Sequence, residues 1–444
     1  MKTLLTIFST LLLFVEVNFA QEYPRPLLLT GQSEISGGLG VTWITENGQT
    51  VPYYMIGLMP DLQFGKIGVG LDLTLLVNTK DGTIRKADWS DGAYRKMIRY
   101  LSWGQKHDPL YGQVGQLDMA ILGHGFIMND YNNSASFDDR RIGAELDVDF
   151  TKYGFEAIYG DFQQPGVMGG RAYVRPLKFT LLGALPIIGG FEVGGTYVTD
   201  QNHHSGVTSA LYDQTTQQDS VLVNRGRISE FGFDAGLPAL RTMFVDVDLY
   251  YDYAQIAHFG HGSAAGILGT FRGLGIVNAT AKLEHQWDAN EFIPEYFDQF
   301  YELERYVPNT LSGFISKAEQ LDSAKKSQGW YGQIMVAVFG QFQIIGDYRG
   351  IDHDPQGGLL HLETQFPKII PIISFSAGYY RHTNNTLKDA IKLDENSLLY
   401  AFLGYKPYPF ITVGLNYYWT FIPVDGTYQV QKRIEPQVMF NYSF

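Results

Sequence analysis

The sequence contains no cysteine, which removes disulfides, thiolate metal ligands, a cysteine nucleophile and attachment of a lipid through an N-terminal cysteine. Positive charge is also scarce: 33 Lys and Arg stand against 46 Asp and Glu, a formal net charge of −13. That balance repels phosphate backbones and argues against a nucleic-acid partner. Beyond residue 20 no stretch supplies the ~20 apolar residues that a membrane-crossing helix needs. The sequence has no GxSxG elbow, no GxxxxGK[ST] phosphate loop, no HExxH helix and no complete dinucleotide-binding glycine pattern, so it carries no enzyme, cofactor or metal signature.

Glycine (49) and the aromatics Tyr and Phe (29 each) are plentiful instead. If such a chain spans a membrane without helices, one solution remains: a closed barrel, because lipid offers no partner to an unpaired backbone group. Lys2 before the apolar run 4–14, with Ala20 preceding Gln21, predicts a secretory signal over 1–20. Residues 21–37, with Pro24 and Pro26, are then an extended lead-in or a plug. The remainder, 38–444, shows no linker-like shift in composition and forms one domain.

Period-two alternation runs through that domain. In 141–150, Ile142, Ala144, Leu146, Val148 and Phe150 oppose Arg141, Gly143, Glu145, Asp147 and Asp149. In 276–288, Val277, Ala279, Ala281, Leu283 and Trp287 oppose Asn278, Thr280, Lys282, Glu284 and Gln286. Other expected strands include 38–46, 51–64, 66–78, 93–105, 112–127, 342–351, 397–408 and 434–444. About 18–20 strands result, in an all-β, antiparallel up-and-down transmembrane barrel. Polar connections at 79–92, 128–140, 201–226, 289–329, 383–396 and 423–433 fall on one side and tight turns on the other. Within 289–329, Leu311, Phe314, Ile315, Ala318 and Leu321 follow Pro308-Asn309-Thr310 at helical spacing and predict a small helical insertion.

The last stretch, IEPQVMFNYSF, sets Phe440, Tyr442 and Phe444 on one face. It resembles the C-terminal assembly signal of bacterial outer-membrane β-barrels, and the whole chain resembles porin-like outer-membrane proteins of Gram-negative bacteria without an assigned substrate. That resemblance implies export to the outer membrane, lipid and the barrel-assembly machinery as partners, a scaffold compatible with oligomers, no catalysis, and a channel for passive passage of small solutes. Two alternatives stay open: a plugged transporter for hydrophobic compounds, and a structural or adhesive barrel with a closed pore.

Alternation turns Asp72, Glu145, Asp147, Asp149, Asp246, Asp248, Asp252, Glu284 and Glu435 inward, with Arg95, Arg99, Arg141 and Lys282 opposing them. An acidic lumen of that kind favours cations. Two histidines stand between glycines, at Gly123-His124-Gly125 and Gly260-His261-Gly262. They are expected at the aqueous rim, where glycine relieves crowding. Ser263 beside His261 is the one hint of a hydrolase, and the flanking glycines predict a turn there. His203, His204 and His353, the last between Asp352 and Asp354, belong to loops without metal-ligand spacing.

Overall fold

The computed structural model describes residues 34–46, 49–86, 97–106, 108–117, 119–134, 141–213, 218–273, 276–299, 301–309, 313–339, 342–352, 358–370, 372–382, 391–393, 397–424 and 427–443. A sheet of 21 segments forms the wall, each antiparallel to its neighbours, and the first pairs with the last from Glu34↔Ser443 to Gly40↔Gln437, so the sheet closes. Ile67–Leu71 and Leu73–Asn78 both pair with Gln49–Phe64 and are one wall strand broken at Asp72, which leaves 20 strands in the barrel.

The wall is apolar outside and polar inside. Along Val277–Asp288, Leu283 and Trp287 are exposed, whereas Lys282, Glu284 and Gln286 are buried. Along Val245–Ile256, Leu249 and Tyr251 are exposed while Asp246, Asp248 and Asp252 are buried. This inversion of the usual soluble pattern suits lipid on one face and enclosed polar groups on the other.

Several strands keep the expected bounds: Phe342–Ile351 and Ser397–Tyr408 do so at both ends. Others depart, each for a physical reason. The first strand, Glu34–Glu46, begins four residues early, because the seam with the last strand takes Glu34 to Gly37 into the wall. The loop expected at 423–433 is absorbed by two long strands, Ile411–Val424 and Thr427–Ser443, paired as far as Val424↔Thr427. Pro436 is tolerated there because pairing to the first strand stops at Gln437, so one flank of the strand is free of a partner at the proline.

Two corrections concern the interior. The strand expected over 112–127 ends at Gly115, in Leu110–Gly115. Gly115 adopts φ 136°, open to glycine alone, and the following segment turns into the barrel. The helical insertion expected in 289–329 is present as two short helices, Tyr301–Glu304 and Ala318–Ser323, and what is corrected lies between them: Phe314 and Ile315 belong to a hairpin, Tyr306–Asn309 with Gly313–Ser316. Helical spacing arose there because Ala318 and Leu321 are buried while the residues before them belong to a strand. The 201–226 loop carries a second hairpin, Val207–Asp213 with Gln218–Asn224. At the opposite end, 176–190 folds as three successive 3-10 turns.

Candidate functional site

Two segments, the described residues of 116–134 and those of 289–324, pack together inside the wall. The first is closed on itself: Ala120 and Tyr131 exchange two backbone bonds of 3.0 Å, and Asn133 accepts from Leu117 N at 2.9 Å and donates to the wall at Gly160 O at 2.8 Å. Left-handed turns at Gly123 (φ 59°) and Gly125 (φ 90°) reverse its tip. The second segment is laid along it by backbone bonds from Glu295 N to Phe126 O (2.9 Å) and from Asn129 N to Phe297 O (3.3 Å). Between them lies an apolar cluster in which Phe126, Met128, Phe292 and Phe297 pack with the wall residues Val198 and Ile256. Burying these side chains is what holds polar backbone inside the barrel, at ~1.5–3 kcal/mol for each one fully buried.

Charge then ties this filling to the wall. Asp234 and Asp252 face each other directly across neighbouring strands, a destabilising juxtaposition unless cations intervene. Arg171 takes Asp234 through two guanidinium bonds of 2.5 and 2.9 Å and also reaches Glu156 and Glu192. His124, at the tip of the first segment, takes Asp252 at 3.0 Å and stacks on Tyr250 with ring centroids 4.2 Å apart. Burial alone would lower the His124 pKa; Asp252 more than offsets that and holds it above the usual imidazole value. Lys282 donates to the His124 carbonyl at 2.7 Å and pairs with Glu284 at 2.7 Å. Glu284 accepts further bonds from Tyr250 and Gln286. His124 is therefore an interior residue, and its expected place at the rim is corrected: glycines on both sides let the chain reverse and deliver it to Asp252.

The same segment carries Asp130 in a left-handed conformation, φ 51°. Burial pushes its carboxyl up to about 7, with Asp347 and Glu295 adding to the rise and His361 and Lys282 opposing it. One Asp130 carboxylate oxygen is buried without a hydrogen-bond partner. Facing it on the wall, His361 bonds Asp347 at 2.7 Å, and Arg349 is bound to Glu295 of the second segment.

The sequence-derived lumen residues are distributed round this arrangement. Asp72 sits at the strand break and accepts from Thr74 at 2.5 Å. Arg99 pairs with Asp61. Lys106 lies between Glu145 and Asp147, and although burial would lower its pKa, these two carboxylates hold it above the ordinary lysine range. Asp149 bonds Arg175 at 2.9 Å, Asp246 bonds Arg272 at 2.9 Å, and Asp248 pairs with Arg241. Arg141 reaches Glu302 of the second segment, and Glu435 accepts from Thr42 at 2.6 Å. Arg95 and Phe444 lie outside the described residues, as do His353, 1–20 and most of the 21–37 lead-in. Phe440 and Tyr442 are exposed on the outward face of the last strand. Ser263 and His261 both belong to the strand His261–Gly273, where a turn was expected.

Arg171, Lys106, Asp234 and Arg349 are among the ionic residues that sequence reasoning missed. Arg171 and Asp234 were within reach of it, since both stand at inward positions of alternating strands. Arg349 was within reach as well, being an inward position of Phe342–Ile351, whereas Lys106 sits in a turn where no alternation marks it.

No protein-family model matches the chain, and no curated protein matches it. Among solved structures, Pseudomonas aeruginosa OccK5 (OpdH) is similar at 13% identity with a TM-score of 0.36, over 93% of this chain and 97% of that one. The outer membrane protein opdK of the same organism is similar at 10% identity and a TM-score of 0.33, over 93% and 98%. Wzi of Escherichia coli, described as a carbohydrate-binding β-barrel, is similar at 12% identity and a TM-score of 0.36, over 93% and 84%. The barrel itself is established by its own strand pairings and their closure.

Proposed function

We propose that the protein is an outer-membrane channel for the passive passage of small polar solutes, constricted by the two in-turned segments. The observation that carries this is a polar inner wall of which the in-turned segments engage one flank. Their polar contacts run from Arg141 and Gly160, through Asp252, Lys282 and Arg349, to the neighbourhood of His361. On the remaining flank inward polar groups bond one another, as in Thr42 with Glu435 and Arg99 with Asp61. Water and solute would pass along that flank.

Most of the inward carboxylates have a cation beside them, so the cation preference of such a pore is weak, smaller than the count of Asp and Glu alone implies. Export through a cleaved leader and insertion by way of the Phe440 and Tyr442 face belong to the same proposal. A closed structural barrel is the second reading, favoured by the apolar cluster at the centre of the filling.

Single-channel recording in a planar bilayer under a salt gradient tests both. Steady conductance with a small reversal potential on the cation side is the expected result. Inserted barrels that conduct nothing would overturn the channel and leave the closed barrel. A large reversal potential of either sign would refute the compensated wall.

A further inference from the structure

We infer that the 176–190 turn is a wedge that seats one sector of the barrel rim in the boundary between lipid headgroups and acyl chains. The segment reads PLKFTLLGALPIIGG and holds a single charge, Lys178. Leu181 is 95% exposed, and Phe179, Leu182, Leu185, Ile187 and Ile188 are exposed with it. In water this is an unfavourable concentration of apolar surface.

Three observations point to lipid. The first is backbone satisfaction. Lys178 N, Thr180 N, Leu185 N and Phe191 N each donate to the carbonyl three residues back at 3.0 Å, and Thr180 Oγ1 accepts from Leu182 N at 3.2 Å. Backbone groups bonded to one another in this way cost less to take out of bulk water into the headgroup boundary than unpaired ones. The second is continuity. The two turns on either side at the same end also carry exposed apolar residues, Phe150 and Tyr153 in one and Met243 and Phe244 in the other, interspersed with Lys152 and Arg241, so the apolar outer face of the wall continues to this rim. The third is the charge at its base. Lys152 stands 5.1 Å from the centre of the Phe179 ring, and Arg175, which begins the turn, donates its amide to Lys152 O at 2.8 Å. The Arg175 guanidinium is taken by Asp149 and Glu192, so Lys152 is the cation set beside the apolar residues, an arrangement that matches headgroup phosphates next to acyl chains.

The absence of cysteine makes the test clean. Leu181→Cys and Leu185→Cys are labelled with a nitroxide in barrels reconstituted into phosphatidylethanolamine and phosphatidylglycerol vesicles. Collision with oxygen is compared with collision with a water-soluble nickel chelate. Ile334→Cys, on the outward face of a wall strand, and Asp322→Cys, at the opposite end, give the lipid and water references. The wedge requires oxygen collisions several-fold favoured over nickel at both turn sites, near the Ile334 reference. Nickel access like that at Asp322 would overturn it. Shielding from both reagents would also overturn it, because the cover would then be protein, either a second copy or the barrel's own mouth. Neither outcome depends on whether the barrel conducts.

Discussion

His124 and Asp130 stand on one in-turned segment, and both make the barrel less stable as pH rises, in adjoining windows and for different reasons. His124 has gained a partner: its folded pKa is raised by Asp252, so the pair contributes fully below the ordinary imidazole value of about 6.5 and fades as pH climbs through the raised one. Asp130 is buried at a cost. Its folded pKa of about 7 exceeds the ordinary 3.8, so the folded chain holds a proton that the unfolded chain has released, and stability falls across that interval. His124→Ala should therefore lower the melting temperature at pH 6, by a loss on the order of 3–5 kcal/mol for breaking a buried pair, with a smaller effect at pH 9. Asp130→Asn should raise it at pH 8 and leave it nearly unchanged at pH 4. Loss of the folded band on unheated gels, followed against temperature at each pH, measures both. The sequence placed Asp252 and Lys282 inward by alternation, whereas their connection to His124 joins residues more than a hundred positions apart and leaves no local trace.

At the scale of the strand, a recurrent device fills the inner wall: an aromatic ring lies over a glycine of the neighbouring strand. Tyr250 covers Gly266, Tyr400 covers Gly378 and Tyr100 covers Gly70, and a Cβ at any of these glycines would collide with the ring. Gly266→Ala should displace Tyr250, break its 2.7 Å bond to Glu284 and cost about 1–3 kcal/mol. Gly269→Ala, on the same strand, would meet nothing closer than Ala281 O at 3.9 Å and should change stability by less than ~0.5 kcal/mol. Urea unfolding midpoints of the two variants in the same vesicles make the comparison. The sequence showed strands where lipid and interior impose opposite polarities on alternate residues, as in 342–351 and 397–408. It misled where apolar residues served another purpose. Leu117, Leu122 and Phe126 extend an apparent strand because they are buried in the filling, and the helical spacing that Ala318 and Leu321 keep ran back into Phe314 and Ile315, which belong to a hairpin.

For the whole molecule, a barrel was legible because its architecture follows from a repeated local rule. Its filling was not, because that depends on segments far apart in the chain meeting inside a wall that must already exist. Closure has a further consequence. A sheet of 19 strands is not nearly a barrel; it is an open sheet with two bare edges. The edge of Glu34–Glu46 stays bare along Glu34 to Gly40 until Thr427–Ser443, the last described strand, arrives with the seven residues that face it. Throughout synthesis the chain is therefore a template for stray strand pairing, with aromatic residues such as Phe233, Trp330 and Phe339 on its outward surface. The seam removes both edges in a single step, which no strand between the first and the last can do through its own stability.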